Sequence, residues 1–119
     1  MTEYRLKRIY EQANPGDGYR VLVDRLWPRG ISKQKAHLDE WCKEVAPTSE
    51  LRTWFGHQHE RFAEFAERYR AELDASGAAE ELRRRLADQP VVTLLIAARE
   101  PQNDHGAVLL DVLRLRPSS

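Results

Sequence analysis

With 119 residues, the chain has material for one domain around a single modest core. Its 19 Lys and Arg balance its 19 Asp and Glu, which removes the general electrostatic case for a nucleic-acid protein, while a charged fraction of 32% leaves room for a local basic patch. A single cysteine, Cys42, excludes an internal disulfide or a cysteine-rich metal site and fits a reducing compartment. The opening MTEYRLKRIY lacks the apolar core of a signal peptide, and the longest apolar run, Val91–Ala98, is far too short to span a bilayer. The expectation is a cytoplasmic protein with no membrane partner.

The spacing predicts a first strand over Tyr4–Tyr10, with Arg5, Lys7 and Arg8 marking a solvated face or an edge. Glu11–Asp17 contains Asn14-Pro15-Gly16-Asp17 and reads as a loop. It is too short for a parallel crossover, so strands one and two run antiparallel if they are neighbours. Val21, Leu22 and Val23 form a second strand, which Pro28 and Gly30 prevent from continuing. The strand thus delivers Asp24, Arg25, Trp27 and Arg29 into one loop, and ligands of α/β sheets bind outside strand C-termini.

Ser32 is suited to cap a short helix over Lys33–His37. In Leu38–Val45, Leu38, Trp41, Cys42 and Val45 fall on a helical stripe, although Ala46-Pro47 would equally close a strand. Thr48 or Ser49 caps a helix over Glu50–Phe55 that Gly56 ends. Gln58–Ala75 is the clearest helix, with Phe62, Phe65, Tyr69 and Leu73 on one face. A further helix covers Ala78–Ala87. Val91–Ala98, VVTLLIAA, reads as a strand buried on both faces. A polar loop leads to a last helix over His105–Leu115, followed by a short tail, Pro117–Ser119.

Two constellations could carry chemistry. In the first, Asp24 beside guanidiniums suits a general base held in its charged form, and Arg25 and Arg29 suit a bidentate clamp on phosphate or carboxylate. The plainer account pairs Asp24 with Arg25 structurally and packs Trp27 in the core. The second constellation is Arg99, Glu100, Asn103, Asp104 and His105. Here Asn103 or Asp104 caps the last helix, Gly106 leaves its N–H groups open to an anion, and His105 titrates near neutrality. Plain capping with a solvent-facing His105 is the alternative. If strands two and four are parallel, both constellations emerge on one edge of the sheet. His57 and His59 suit a pocket rim better than a metal site, and Cys42 suits an inert buried thiol. No Walker loop, dinucleotide fingerprint or nucleophile elbow is present.

The segments RVLVDRLWPRGISKQKAHLDEW and KEVAPTSELRTWFGH, then FAERYRAEL and VVTLLIAAREPQNDHGAVLLDVL, resemble the YeaO-like branch of the DUF488 family over nearly the whole chain. The resemblance implies a small α/β domain of Rossmann-like layering. Related branches carry an Asp-Val-Arg element after a strand, which Asp24-Arg25 matches approximately. They carry a Cys-His-Arg element at the last helix, replaced here by Asn103-Asp104-His105, so no cysteine chemistry transfers. The resemblance also implies a strand at Leu38–Val45, against the periodicity.

Together these readings predict an α/β fold with a three- or four-stranded mixed sheet, helices on its faces, and one domain over residues 1–119. The expected function is an anion-binding cleft for a small phosphorylated or nucleotide-like ligand, with hydrolase or transferase chemistry left open. Asp24 and His105 are the catalytic candidates. Arg25, Trp27, Arg29, Arg99 and Asn103 are the ligand-binding candidates, with no metal or cofactor assigned. The alternative is a non-enzymatic nucleic-acid or protein-interaction module using Arg29, Lys33, Lys35 and an outward Trp27. Nucleic acid is not favoured by the net charge.

Overall fold

The structure, a computed structural model, describes residues 2–115. The expected tail Pro117–Ser119 lies outside them. The protein is an α/β fold built on a four-stranded sheet. Its strands are β1 (Glu3–Arg8), β2 (Tyr19–Leu22), β3 (Glu40–Trp41) and β4 (Val91–Ile96), in the spatial order β1-β4-β2-β3. All three pairings are parallel. The expected mixed sheet is therefore not formed. β4 takes the place between β1 and β2, so the short loop that joins them never has to make a parallel pair.

The apolar run of β4 follows from that central position. Val92, Leu94 and Ile96 enter the larger core, while Leu95 joins Ile9, Leu22 and Ala36 in a smaller one on the opposite face. A strand covered on both sides has no polar alternation to show. The helices are α1 (Lys33–Ala36), α2 (Ser49–Phe55), α3 (Phe62–Ser76), α4 (Ala78–Arg85) and α5 (His105–Arg114). The larger core draws Leu51 and Phe55 from α2, Phe65, Tyr69 and Leu73 from α3, Leu82 from α4, and Val108, Leu109 and Leu113 from α5. Against the smaller core pack Trp27, Ile31, Leu38 and Trp41, from the segment between β2 and β3 and from β3 itself.

Local chemistry sets the boundaries. The Thr48 side chain accepts from the Leu51 N–H at 3.2 Å to start α2, and left-handed Gly56 stops it. The expected Gln58–Ala75 helix begins later, because residues 59–61 form a 3₁₀ turn first. The helical stripe over Leu38–Val45 is overturned. Asp39 N–H donates to the Arg20 carbonyl and Cys42 N–H to the Leu22 carbonyl, each at 2.9 Å, so the chain lies extended along β2 before a 3₁₀ turn at Lys43–Val45. Eight residues are too few to repay helix nucleation when an open strand edge offers those bonds.

Arg20, a charge inside β2, is buried because its partners are buried with it. It bonds to the Asp17 carboxylate and donates to the carbonyls of Ala36 at 3.0 Å and His37 at 3.1 Å. Among the described residues, no helix is long and apolar enough to cross a membrane.

The aromatic row of α3 holds the larger core together. Phe65, 1% exposed, stacks on Phe55 with ring centroids 4.4 Å apart and faces Tyr69 at 5.8 Å. Phe65→Ala should therefore cost about 3–5 kcal/mol in denaturant unfolding, from lost transfer energy plus a cavity. A loss below about 1 kcal/mol would mean that the face is not packed as described.

Candidate functional site

β2 and β4 run side by side in the same direction, so the chain leaves both at one edge of the sheet. The ladder continues one step beyond β2, where Val23 N–H donates to the Leu95 carbonyl at 3.1 Å. At the following step the Asp24 side chain stands in for a strand carbonyl, its Oδ2 accepting from the Ala97 N–H at 2.9 Å. The Asp24 carbonyl in turn accepts from the Trp41 indole at 2.7 Å. Trp27 donates its indole N–H to the Ile31 carbonyl at 2.7 Å and meets the Trp41 ring edge-on at 5.3 Å. These bonds fix the loop after β2 before any ligand arrives.

α5 starts against this loop. Asp104 caps it, Oδ2 accepting from the Gly106 N–H at 3.2 Å while facing His105 Nδ1 at 3.1 Å. His105 Nε2 lies 3.0 Å from the Val23 carbonyl oxygen and 3.4 Å from Asp24 Oδ1. Both ring nitrogens thus face acceptors. A neutral imidazole has one N–H and would turn a lone pair towards an oxygen on the other side, so this geometry holds the imidazolium. Burial opposes the charge of His105, but the hydrogen bond and charge of Asp104, with Asp24 and the Val23 carbonyl, raise its pKa above the ordinary histidine value. Asp104 is lowered, because His105 and the helix N–H groups outweigh burial. Asp24 is raised, burial prevailing over the attraction of His105 and the Ala97 N–H.

Above the Asp24–His105–Asp104 cluster opens a cleft of about 390 Å³. Five of the seven catalytic and ligand-binding candidates line it, Asp24, Arg25, Trp27, Arg29 and His105, and so do Asp104 and His57. Arg99 and Asn103 do not. They line a neighbouring cleft of about 370 Å³ that shares His57 and Ala98 with the first. Asn103 donates to Glu100 at 3.1 Å, and the cap of α5 falls to Asp104 instead.

Three further expectations are revised. Arg25 makes no ion pair with Asp24. Its guanidinium donates to the carbonyls of Pro47 at 3.1 Å and Ala46 at 3.4 Å, tying the cleft loop to the turn before α2. Gly106 does not hold space for a ligand, since a Cβ there would lie 2.8 Å from Ile96 Cγ2 and 2.9 Å from Leu6 Cδ1, both side chains of the sheet. His105 does not face solvent, being 7% exposed.

Sequence reasoning missed Arg52 and the second role of Asp104. Arg52 lies on α2 and lines the cleft together with Phe55 of the same helix. Their i,i+3 spacing was the available signal. Asp104 was read only as a cap, and nothing local shows that its second contact is to the side chain next to it. Cys42 is buried away from the cleft, where burial and the carboxylates of Glu40 and Glu44 push its thiol up to about 11. Asp24, Asp104 and His105 each bring one potential metal-ligating atom within 4.8 Å of the others. A cation there would have to displace the His105 proton.

Fold and cleft together define a small parallel α/β protein with a charged pocket at the C-terminal edge of its sheet. The chain belongs to the DUF488 family: the family model described as "Inactive DUF488-N3 subclade" matches residues 3–117. It is similar to the uncharacterized protein Rv3073c of Mycobacterium tuberculosis, 50% identical over 97% of each chain. It is also similar to the uncharacterized protein YeaO of Escherichia coli K12, 48% identical over 91% of this chain and 94% of YeaO. No solved structure gives a significant match.

The His105 geometry has a defined pH signature. Its native pKa lies above the ordinary value of 6.5, so its stabilising charge is complete below that pH and is lost as pH rises through the native value. The Asp104 contribution is lost at the other end, as pH falls through its lowered value. His105→Asn should cost about 3–5 kcal/mol near pH 6, since it strands buried carboxylates, and the difference from wild type should narrow at alkaline pH. Nitrogen-15 NMR of the histidine ring should find both nitrogens protonated at pH 6. A neutral ring there would contradict this account.

Proposed function

We propose that this protein binds a small anionic ligand, phosphorylated or nucleotide-like, in the cleft above Asp24 and His105. The observation that carries the reading is the composition of the lining. Arg25, Arg29 and Arg52 supply three guanidiniums from two different elements, and Trp27, Phe55 and Tyr10 supply aromatic walls. Guanidinium forks match phosphate oxygens in pairs, and aromatic faces accept a planar ring. The position agrees with the rule for doubly wound sheets of Rossmann type, in which ligands sit outside strand C-termini. The lone buried thiol favours action in a reducing compartment such as the cytoplasm.

We read the role as binding rather than turnover. No serine, threonine or cysteine is among the residues lining the cleft. His105, with both nitrogens engaged, has no lone pair free to take a proton. The description of the matching subclade as inactive supports the same reading. Asp24 and His105, expected as base and acid/base partner, are accordingly assigned to ligand contact and to holding the cleft floor. A second reading rests on Leu26, 63% exposed at the lip of the cleft beside Arg29. That apolar lip suits a macromolecular partner whose anionic group enters the cleft.

The arginines separate by function. Arg25 is committed to carbonyls 46 and 47, whereas Arg29 and Arg52 are exposed. Thermal shift and calorimetry with a panel of phosphate esters should therefore lose their response in the Arg29→Ala, Arg52→Ala double variant, at nearly unchanged unfolding stability. Arg29→Lys should weaken binding almost as much as Arg29→Ala. Undiminished binding by the double variant would rule out the clamp. A response to oligonucleotides but not to small phosphate esters would favour the macromolecular partner.

A further inference from the structure

The lining of the cleft is divided in charge, and the division says more about the ligand than its phosphate. At the floor, Asp24 and Asp104 bring two carboxylates against one imidazolium, a net charge of one minus. Arg29 and Arg52 are exposed at the rim. A bare phosphate suits the rim and is repelled by the floor. The ligand that suits both has an anionic end for the arginines and, at its other end, hydrogen-bond donors for the carboxylates.

The acceptor open to such donors can be named. Asp104 Oδ2 already takes the Gly106 N–H and faces His105 Nδ1, and the Asp104 side chain is 10% exposed. Asp24 Oδ2 is taken by the Ala97 N–H. Asp24 Oδ1 has only a long approach from His105 Nε2, 3.4 Å, because the Val23 carbonyl lies closer to that nitrogen at 3.0 Å. The Asp24 side chain keeps 17% of its surface exposed on the cleft wall. A carboxylate oxygen accepts more than one hydrogen bond, and two neighbouring hydroxyls present donors at a spacing that one carboxylate can take.

We propose that the cleft selects a hydroxyl-bearing phosphate ester, a ribose phosphate or ribonucleotide, with the sugar hydroxyls on Asp24 Oδ1 and the phosphate on Arg29 and Arg52. The proposal rests on the anion-binding reading above and adds Asp24 as the specificity-determining residue. Trp27 decides between the two sources of the same chemistry. Its indole N–H is fixed to Ile31 and its ring lines the cleft, so a base would add stacking that ribose 5-phosphate lacks.

The test is calorimetric titration of wild-type protein with adenosine 5′-monophosphate, 2′,3′-dideoxyadenosine 5′-monophosphate and ribose 5-phosphate. Removing both hydroxyls should weaken binding by about ten- to a hundredfold, as expected for charge-assisted hydrogen bonds. Asp24→Asn keeps an acceptor for the Ala97 N–H and should bind both nucleotides equally weakly, closing that gap. The comparison on wild-type protein stands even if the variant folds poorly. Equal binding of the two nucleotides by wild type overturns the hydroxyl contact while leaving the anion site in place. No binding of any of the three overturns this proposal, and the phosphate-ester panel then decides separately whether the anion site itself survives. Ribose 5-phosphate binding as tightly as the nucleotide assigns the sugar phosphate as ligand, and weaker binding assigns the nucleotide.

Discussion

The cleft end of this molecule depends on one substitution of side chain for main chain. The parallel ladder between β2 and β4 ends where Val23 N–H meets the Leu95 carbonyl, and the next amide, Ala97, would be left without a strand partner. Asp24 supplies the acceptor. An amide buried without a partner would cost about 1–3 kcal/mol, so the carboxylate is held at the sheet edge by backbone chemistry. Once it is there, its charge must be balanced. His105 does so from the first turn of α5, and the Val23 carbonyl and Asp104 fix that ring at both nitrogens. The two loops at the sheet edge are thereby locked to each other through one imidazolium.

This lock has a cost that binding can recover. Asp24 has a raised pKa because burial outweighs its partners, whereas Asp104, next to the same histidine, is lowered. Two carboxylates around one cation are thus held unequally, and the less satisfied one is the more exposed in the cleft. Such asymmetry recurs at functional sites, although structural networks produce it too. Here Arg52 lines the same cleft, and its charge reaches Asp24 as one of the influences that oppose burial there.

Much of the architecture was legible from local pattern. The apolar run Val91–Ala98, the aromatic face of α3 and the capping residues around α2 and α5 are short-range signals, and each produced its element. The direction of the sheet was not legible, because the Glu11–Asp17 loop limits only how neighbours pair, and β1 and β2 are not neighbours. β3 was masked by a helical stripe that the free edge of β2 overrode, although the family resemblance pointed to a strand there. Within the cleft, Asp24, Arg25, Trp27 and Arg29 came together because they follow one strand, and His105 joined them because β4 runs parallel to β2. Arg52 arrives from a helix on which only its i,i+3 spacing to Phe55 hinted at a shared face. Arg99 and Asn103 were placed by proximity in sequence to His105, but both line the adjoining cleft instead, Asn103 from the 3₁₀ turn at Pro101–Asn103.

The central claim is that a phosphate-bearing ligand enters above Asp24 and His105, and amide chemical-shift mapping tests it most directly. Titrating isotopically labelled protein with adenosine 5′-monophosphate should move the amides of Asp24, Arg25, Leu26, Trp27, Arg29 and Gly30, those of Ala97 and Ala98, and those of Arg52 and His57. The Ala97 amide should respond most, since its hydrogen-bond partner is the carboxylate proposed to meet the ligand. Shifts gathered instead around Trp54, Arg61 and Arg68, where two guanidiniums stack on an indole outside the cleft lining, would contradict the account.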